Sequence, residues 1–66
     1  MKNNLKVHRA IKDITQAELA EEINVSRQTI NAMEKGKYVP STVLALKLAR
    51  FFEKPVEELF ILEEED

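Results

Sequence analysis

The side chains best suited to chemistry in this chain lie in one short run, Ser26-Arg27-Gln28-Thr29-Ile30-Asn31. Helical spacing turns Ile30 and Met33 one way and Arg27, Gln28 and Asn31, with Thr29 beside them, the other. An Arg fork matches guanine, and a Gln or Asn amide matches adenine. The chemistry expected is recognition by hydrogen bonding, not bond making. The assignment of each side chain to a base stays open, and the Thr29 hydroxyl has a competing use in closing the first turn of its own helix. Catalysis lacks its parts: the chain has no paired nucleophile and base, one glycine and no cysteine. His8 is the sole histidine, and with no cysteine beside it a metal site is not expected. It reads as a half-buried structural residue. No cofactor and no enzymatic activity are expected.

The recognition run needs elements to hold it. Leu5, His8 and Ile11 recur at helical spacing, which predicts a first helix near residues 4–12. Thr15-Gln16-Ala17-Glu18 reads as a capping box opening a second helix near 16–23, with Leu19, Ala20 and Ile23 on its inner face. Asn24 follows, a residue that tolerates the left-handed conformation at a helix end. Ser26 caps a third helix near 27–34 that Gly36 stops. Two short helices joined by Ile23-Asn24-Val25-Ser26 make a helix-turn-helix over about 16–34. Its second helix fits the roughly 12 Å major groove while the first crosses the backbone. Ser41 caps a fourth helix near 42–53 with a stripe of Leu44, Ala45, Leu48, Ala49 and Phe52. Pro55 opens a short fifth helix to about Leu59, and Phe60-Ile61-Leu62 either ends it or forms a short strand. Glu34, acidic within a DNA-facing element, reads as a brace for a basic side chain, with Arg9 the natural partner.

The net charge of -2 conceals an uneven distribution. Residues 1–50 carry nine Lys/Arg against five Asp/Glu, and residues 51–66 carry one Lys against seven acids. A nucleic-acid binder needs a basic face, not a basic total. The acidic run Glu63 to Asp66 reads as a solvated end. Sixty-six residues suggest one domain, 1–66. No apolar run reaches the roughly 20 residues of a membrane span, and no signal-peptide pattern is visible, so a cytoplasmic protein is expected.

The segment TQAELAEEINVSRQTINAMEKGKYVPS resembles the helix-turn-helix of the lambda repressor and Cro family, also called the Xre family. The resemblance covers about residues 4–60. It implies an all-α, five-helix lambda-repressor-like fold, in some small members with a two-stranded antiparallel β-ribbon from the chain ends, here residues 1–4 and 60–64. It implies a phosphate contact and a bracing role for Gln16, recognition roles for Arg27, Gln28, Thr29 and Asn31, and backbone contacts from Lys35, Lys37 and Tyr38. Asn24 stands where the family usually has Gly, and His8 where it usually has Leu.

The function expected is a sequence-specific transcriptional regulator of double-stranded DNA, a repressor acting on an inverted-repeat operator as a homodimer. The fourth helix is apolar over more of its circumference than one core can use, so Pro40, Phe51, Val56, Phe60 and Ile61 are the candidate dimer interface. The alternatives are an antitoxin that binds DNA and also masks a protein partner, and a protein-interaction module with the same fold.

Overall fold

The computed structural model describes residues 1–66. The elements in chain order are β1 (Lys2–Asn3), α1 (Leu5–Ile11), α2 (Gln16–Ile23), α3 (Arg27–Glu34), α4 (Thr42–Phe52), α5 (Val56–Leu59) and β2 (Phe60–Ile61). The two strands pair antiparallel, Lys2 opposite Ile61 and Asn3 opposite Phe60, so the chain ends form the ribbon. No helix is long and apolar enough to cross a membrane.

Each long helix starts where a hydroxyl side chain can take an orphan amide. The Thr15 hydroxyl accepts from the Glu18 amide at 3.0 Å, and the Glu18 carboxylate accepts from the Thr15 amide at 2.9 Å. This reciprocal pair satisfies two of the donors a helix start leaves free. Ser26 accepts from the Thr29 amide at 3.1 Å, and Ser41 from the Leu44 amide at 3.2 Å.

The helix ends share a device as well. At Asp13, Asn24, Gly36 and Glu53 the backbone turns left-handed, with φ of 55°, 60°, 73° and 55°. At each, the next residue's amide reaches back five positions: Ile14 to Arg9, Val25 to Ala20, Lys37 to Ala32 and Lys54 to Ala49, at 2.9–3.2 Å. This backward bond satisfies one otherwise free carbonyl in the last turn of each of α1, α2, α3 and α4.

Eleven hydrophobic residues form the buried core and no polar residue joins them. Leu19, Ala20 and Ile23 of α2 meet Ile30 and Met33 of α3, and Leu44, Leu48 and Phe52 of α4 close the other side with Leu5 and Leu59. His8 is half-buried, its ring 5.9 Å from that of Phe52.

Two expectations need correction. Ile11 is 74% exposed, not on the inner face of α1. The left-handed turn at Asp13 reverses the chain and brings Ile14 against the core in its place. Phe60 is buried at 8% exposure within its own chain. As the first residue of β2 it turns its ring inward, and the ribbon register leaves Ile61 on the outside at 41%.

Candidate nucleic-acid interface

The turn between α2 and α3 sets the orientation of everything outside it. Asn24 takes φ 60° and ψ 50°, Ser26 caps α3, and Ile30 and Met33 are fully buried. With the inner face fixed, Arg27, Gln28, Asn31 and Lys35 must point out. They line a shallow open concavity of about 370 Å³ together with Ala32 and Lys37. None of the five polar side chains among them makes an intramolecular hydrogen bond or ion pair. Their donors and acceptors are available to a ligand.

Behind that face lies a polar brace. Arg9 Nε donates to Glu34 Oε2 at 2.8 Å, and an Arg9 terminal nitrogen donates to Glu34 Oε1 at 3.2 Å. The other terminal nitrogen donates to the Ile14 carbonyl at 2.9 Å. Gln16 Nε2 donates to the same Glu34 Oε1 at 3.1 Å. One carboxylate on α3 therefore ties together α1, the start of α2 and the turn between them. Its side chain is 6% exposed and that of Arg9 17%. Burial works to raise the Glu34 pKa, but the bonds from Arg9 and Gln16 and the charges of Arg9 and Lys6 outweigh it and hold the carboxyl below its ordinary value. The bond to Glu34 outweighs desolvation at Arg9 and raises its pKa further. Both groups stay charged, and the fork geometry fixes the rotation of α3 about its axis.

The sequence-selected residues divide accordingly. Arg27, Gln28, Asn31, Lys35 and Lys37 come together in one concavity. Gln16 is half-buried with its amide nitrogen spent on Glu34, so the bracing part of its expected role is visible. Thr29 is half-buried and its hydroxyl lies 2.9 Å from that of Ser26, the competing use. Tyr38, 44% exposed, stands on the loop after Gly36 and lines neither polar cleft of α3.

Two residues escaped the sequence reading. Ala32 lines the concavity between Gln28 and Lys35; its helical offset from Gln28 signals this, but its lack of polar atoms drew no attention. Lys6 joins a second cleft with Arg9, Gln16, Asn31, Glu34 and Lys35, which shares two residues with the first. Lys6 lies three residues before Arg9, a spacing that puts both on one face of α1. The joined clefts make a continuous polar surface from Lys37 across α3 to Lys6.

The expected interface residues do not form one patch. Pro40, Val56 and Phe60 share an apolar groove with Met1, Val39 and Leu46. Phe51 lies on another face of α4, in a cleft with Glu22, Lys47 and Arg50, where its ring meets Phe52 edge-on at 5.1 Å and Lys12 Nζ sits 5.2 Å from its centre. Ile61 lines a third cleft, beside Lys2 and Lys35.

Comparison with known proteins agrees with this architecture. A helix-turn-helix family model matches residues 5–59. An uncharacterised helix-turn-helix-type transcriptional regulator of Methanocaldococcus jannaschii is 53% identical over 66 residues, covering the whole of both chains. One of Bacillus subtilis is 48% identical over 66 residues, again covering both chains completely. One of Archaeoglobus fulgidus is 47% identical over all of this chain and 93% of its own. With the capped α2–α3 pair, the outward polar stripe and the ribbon of chain ends, these matches place the chain in the Xre-like helix-turn-helix family, that of lambda repressor and Cro.

Proposed function

We propose that this chain is a sequence-specific DNA-binding transcriptional regulator that represses by occupying an inverted-repeat operator as a homodimer. The observation that carries the reading is the outer face of α3. Two unspent amides and three unspent cations are presented on, and just beyond, a helix whose rotation is fixed by Glu34, Arg9 and Gln16. A flexible polar face would be the bland alternative, but a partly buried ion pair behind it serves no purpose for a surface that need not be aimed.

Affinity comes from Lys6, Lys35, Lys37 and Arg27 displacing counterions from phosphate, and falls steeply with salt. Tyr38 and Gln16 add backbone contacts beside them. Selectivity comes from Arg27, Gln28, Asn31 and Thr29 in the major groove. The apolar groove of Val39, Pro40, Leu46 and Val56 is the face on which two copies meet. A chain 32 Å long and 22 Å wide can set two α3 helices about 34 Å apart, the span of successive major grooves. Occupying such a site excludes polymerase from the same duplex.

Competition between a selected duplex and bulk DNA tests this. The selected site should win by about 10³-fold or more at physiological salt. Equal affinity for every duplex contradicts the regulator reading.

A further inference from the structure

The composition of the α3 concavity restricts which bases it can read. The inference rests on the DNA-binding reading above and specifies its target. Six side chains line the concavity, and none is a carboxylate, the usual acceptor for the amino group of cytosine, so the two amide oxygens are the acceptors there. Gln28 and Asn31 each keep both an amide donor and an amide acceptor free, the pair that matches N6 and N7 of adenine. Gln16, the third amide of this region, has one of its two N–H donors bound to Glu34 and does not line the concavity. Ala32 is the sole apolar liner, and a small apolar side chain in the major groove meets the 5-methyl of thymine. The cations stand at the ends of the stripe, Arg27 at the helix start and Lys35 and Lys37 past its finish.

Spacing fits this division. Gln28 and Asn31 are three residues apart, about 4.5 Å along the helix axis, close to one base-pair step of about 3.4 Å. Ala32 follows Asn31 directly and lies one turn beyond Gln28. We propose that the centre of each half-site is A·T: Gln28 and Asn31 each read an adenine in neighbouring pairs, and Ala32 reads a thymine methyl beside them.

The intact chain is first used to select duplexes from a random pool. Atoms are then removed from the selected duplex, 7-deazaadenine replacing adenine and deoxyuridine replacing thymine at the enriched positions. At least two A·T pairs should be enriched within three consecutive positions. 7-Deazaadenine should weaken binding about fivefold or more, since one bond of a bidentate pair is lost. Deoxyuridine at one position should weaken it about threefold, the worth of a buried methyl. Ala32→Gly should erase that methyl dependence and keep the 7-deazaadenine effect, which also shows that the variant still folds and docks. Selected half-sites with G·C centres, or A·T centres indifferent to both replacements, would overturn this base assignment while leaving specific binding intact. A pool from which no sequence emerges would instead overturn the DNA-binding reading itself.

Discussion

One carboxylate, that of Glu34, ties α3 to α1 and to the start of α2. Removing it in Glu34→Ala leaves Arg9 with a charge that is only 17% exposed and no acidic partner, its one remaining bond being that to the Ile14 carbonyl. The expected loss is about 2 kcal/mol, below the full penalty of a wholly buried pair because Arg9 keeps some water. Chemical denaturation measures it directly. The pH dependence follows from the lowered Glu34 pKa. An unfolded Glu34 titrates near its ordinary 4.5, and the folded one lower. Its contribution is present above that ordinary value and fades as pH falls through the folded one. The stability gap between wild type and Glu34→Gln should therefore be constant near neutrality and narrow below about pH 4.5. A gap that widens in acid would mean that the carboxyl is favoured in its protonated form.

The polar residues lining the concavity should divide into two roles that mutation can separate. Gln28→Ala and Asn31→Ala should each cost about 1–3 kcal/mol on the selected duplex and relax the preference at one position. Lys37→Ala should weaken all duplexes alike and lower the salt slope by about 0.9. Binding titrations at several salt concentrations on specific and bulk DNA distinguish the two. An altered sequence preference in Lys37→Ala alone would invert the roles.

Among the helices and their junctions, the stops contain the correctable strain. Three of the four left-handed positions, Asp13, Asn24 and Glu53, are held by residues other than glycine. Glu53 lacks the short polar side chain that makes Asn tolerable there, and a Cβ in this conformation costs about 1–2 kcal/mol. Glu53→Gly should raise stability by about 0.5–1 kcal/mol, a few tenths being lost to the freer unfolded chain. Gly36→Ala should do the reverse by about 1 kcal/mol. Its added Cβ would meet nothing nearer than the Met1 carbonyl at 3.7 Å, so φ alone carries the cost. Melting curves of the two variants should shift in opposite directions.

The same junctions show what the sequence could convey. Thr15, Ser26 and Ser41 mark helix starts because a hydroxyl one residue before an amphipathic run has a specific local use, and α2 and α3 follow with their limits. Arg9 and Glu34 were legible as a pair because an acid within a DNA-facing helix needs a local partner. Asp13 and Glu53 were not legible as stops, since the strain of a left-handed Asp or Glu is offset only by tertiary packing. Ile11 and Ile14 are equally apolar, and only the path of the chain after α1 decides which is buried. Phe60 and Ile61 are adjacent in a strand, so a period of two sends one inward and one outward, and sequence alone does not fix the phase.

For the assembled chain, the core of eleven residues is small, and a 66-residue protein buries only about 60% of the surface its unfolded chain exposes. Val39 and Leu46, 68% and 57% exposed, flank the groove in which Pro40, Val56 and Phe60 lie. Burial of this face against a second copy would add to the core, and Leu46→Asp should split the pair because a carboxylate at its centre has no partner. Ile61→Asp, outside the groove, tests whether the interface extends over the ribbon. Sedimentation at micromolar concentration should show a wild-type dimer and a Leu46→Asp monomer. A dimer of undiminished stability in Leu46→Asp would move the interface elsewhere.

The ribbon connects the two surfaces. The Asn3 amide donates to the Met33 carbonyl at the end of α3, the Asn4 amide donates to the Glu58 carbonyl, and β1 pairs with β2. The helix α3 and the apolar groove thus belong to one framework, and the decisive question is which of the two surfaces meets DNA. Titration of isotopically labelled chain with its selected duplex, followed by amide resonances, decides this. The side-chain amides of Gln28 and Asn31 and the backbone of residues 27–37 should shift most, while Leu46 and Val56 should stay near their positions in the free protein. Shifts centred on the groove of α4 and α5, with residues 27–37 unmoved, would contradict α3 as the DNA-reading element.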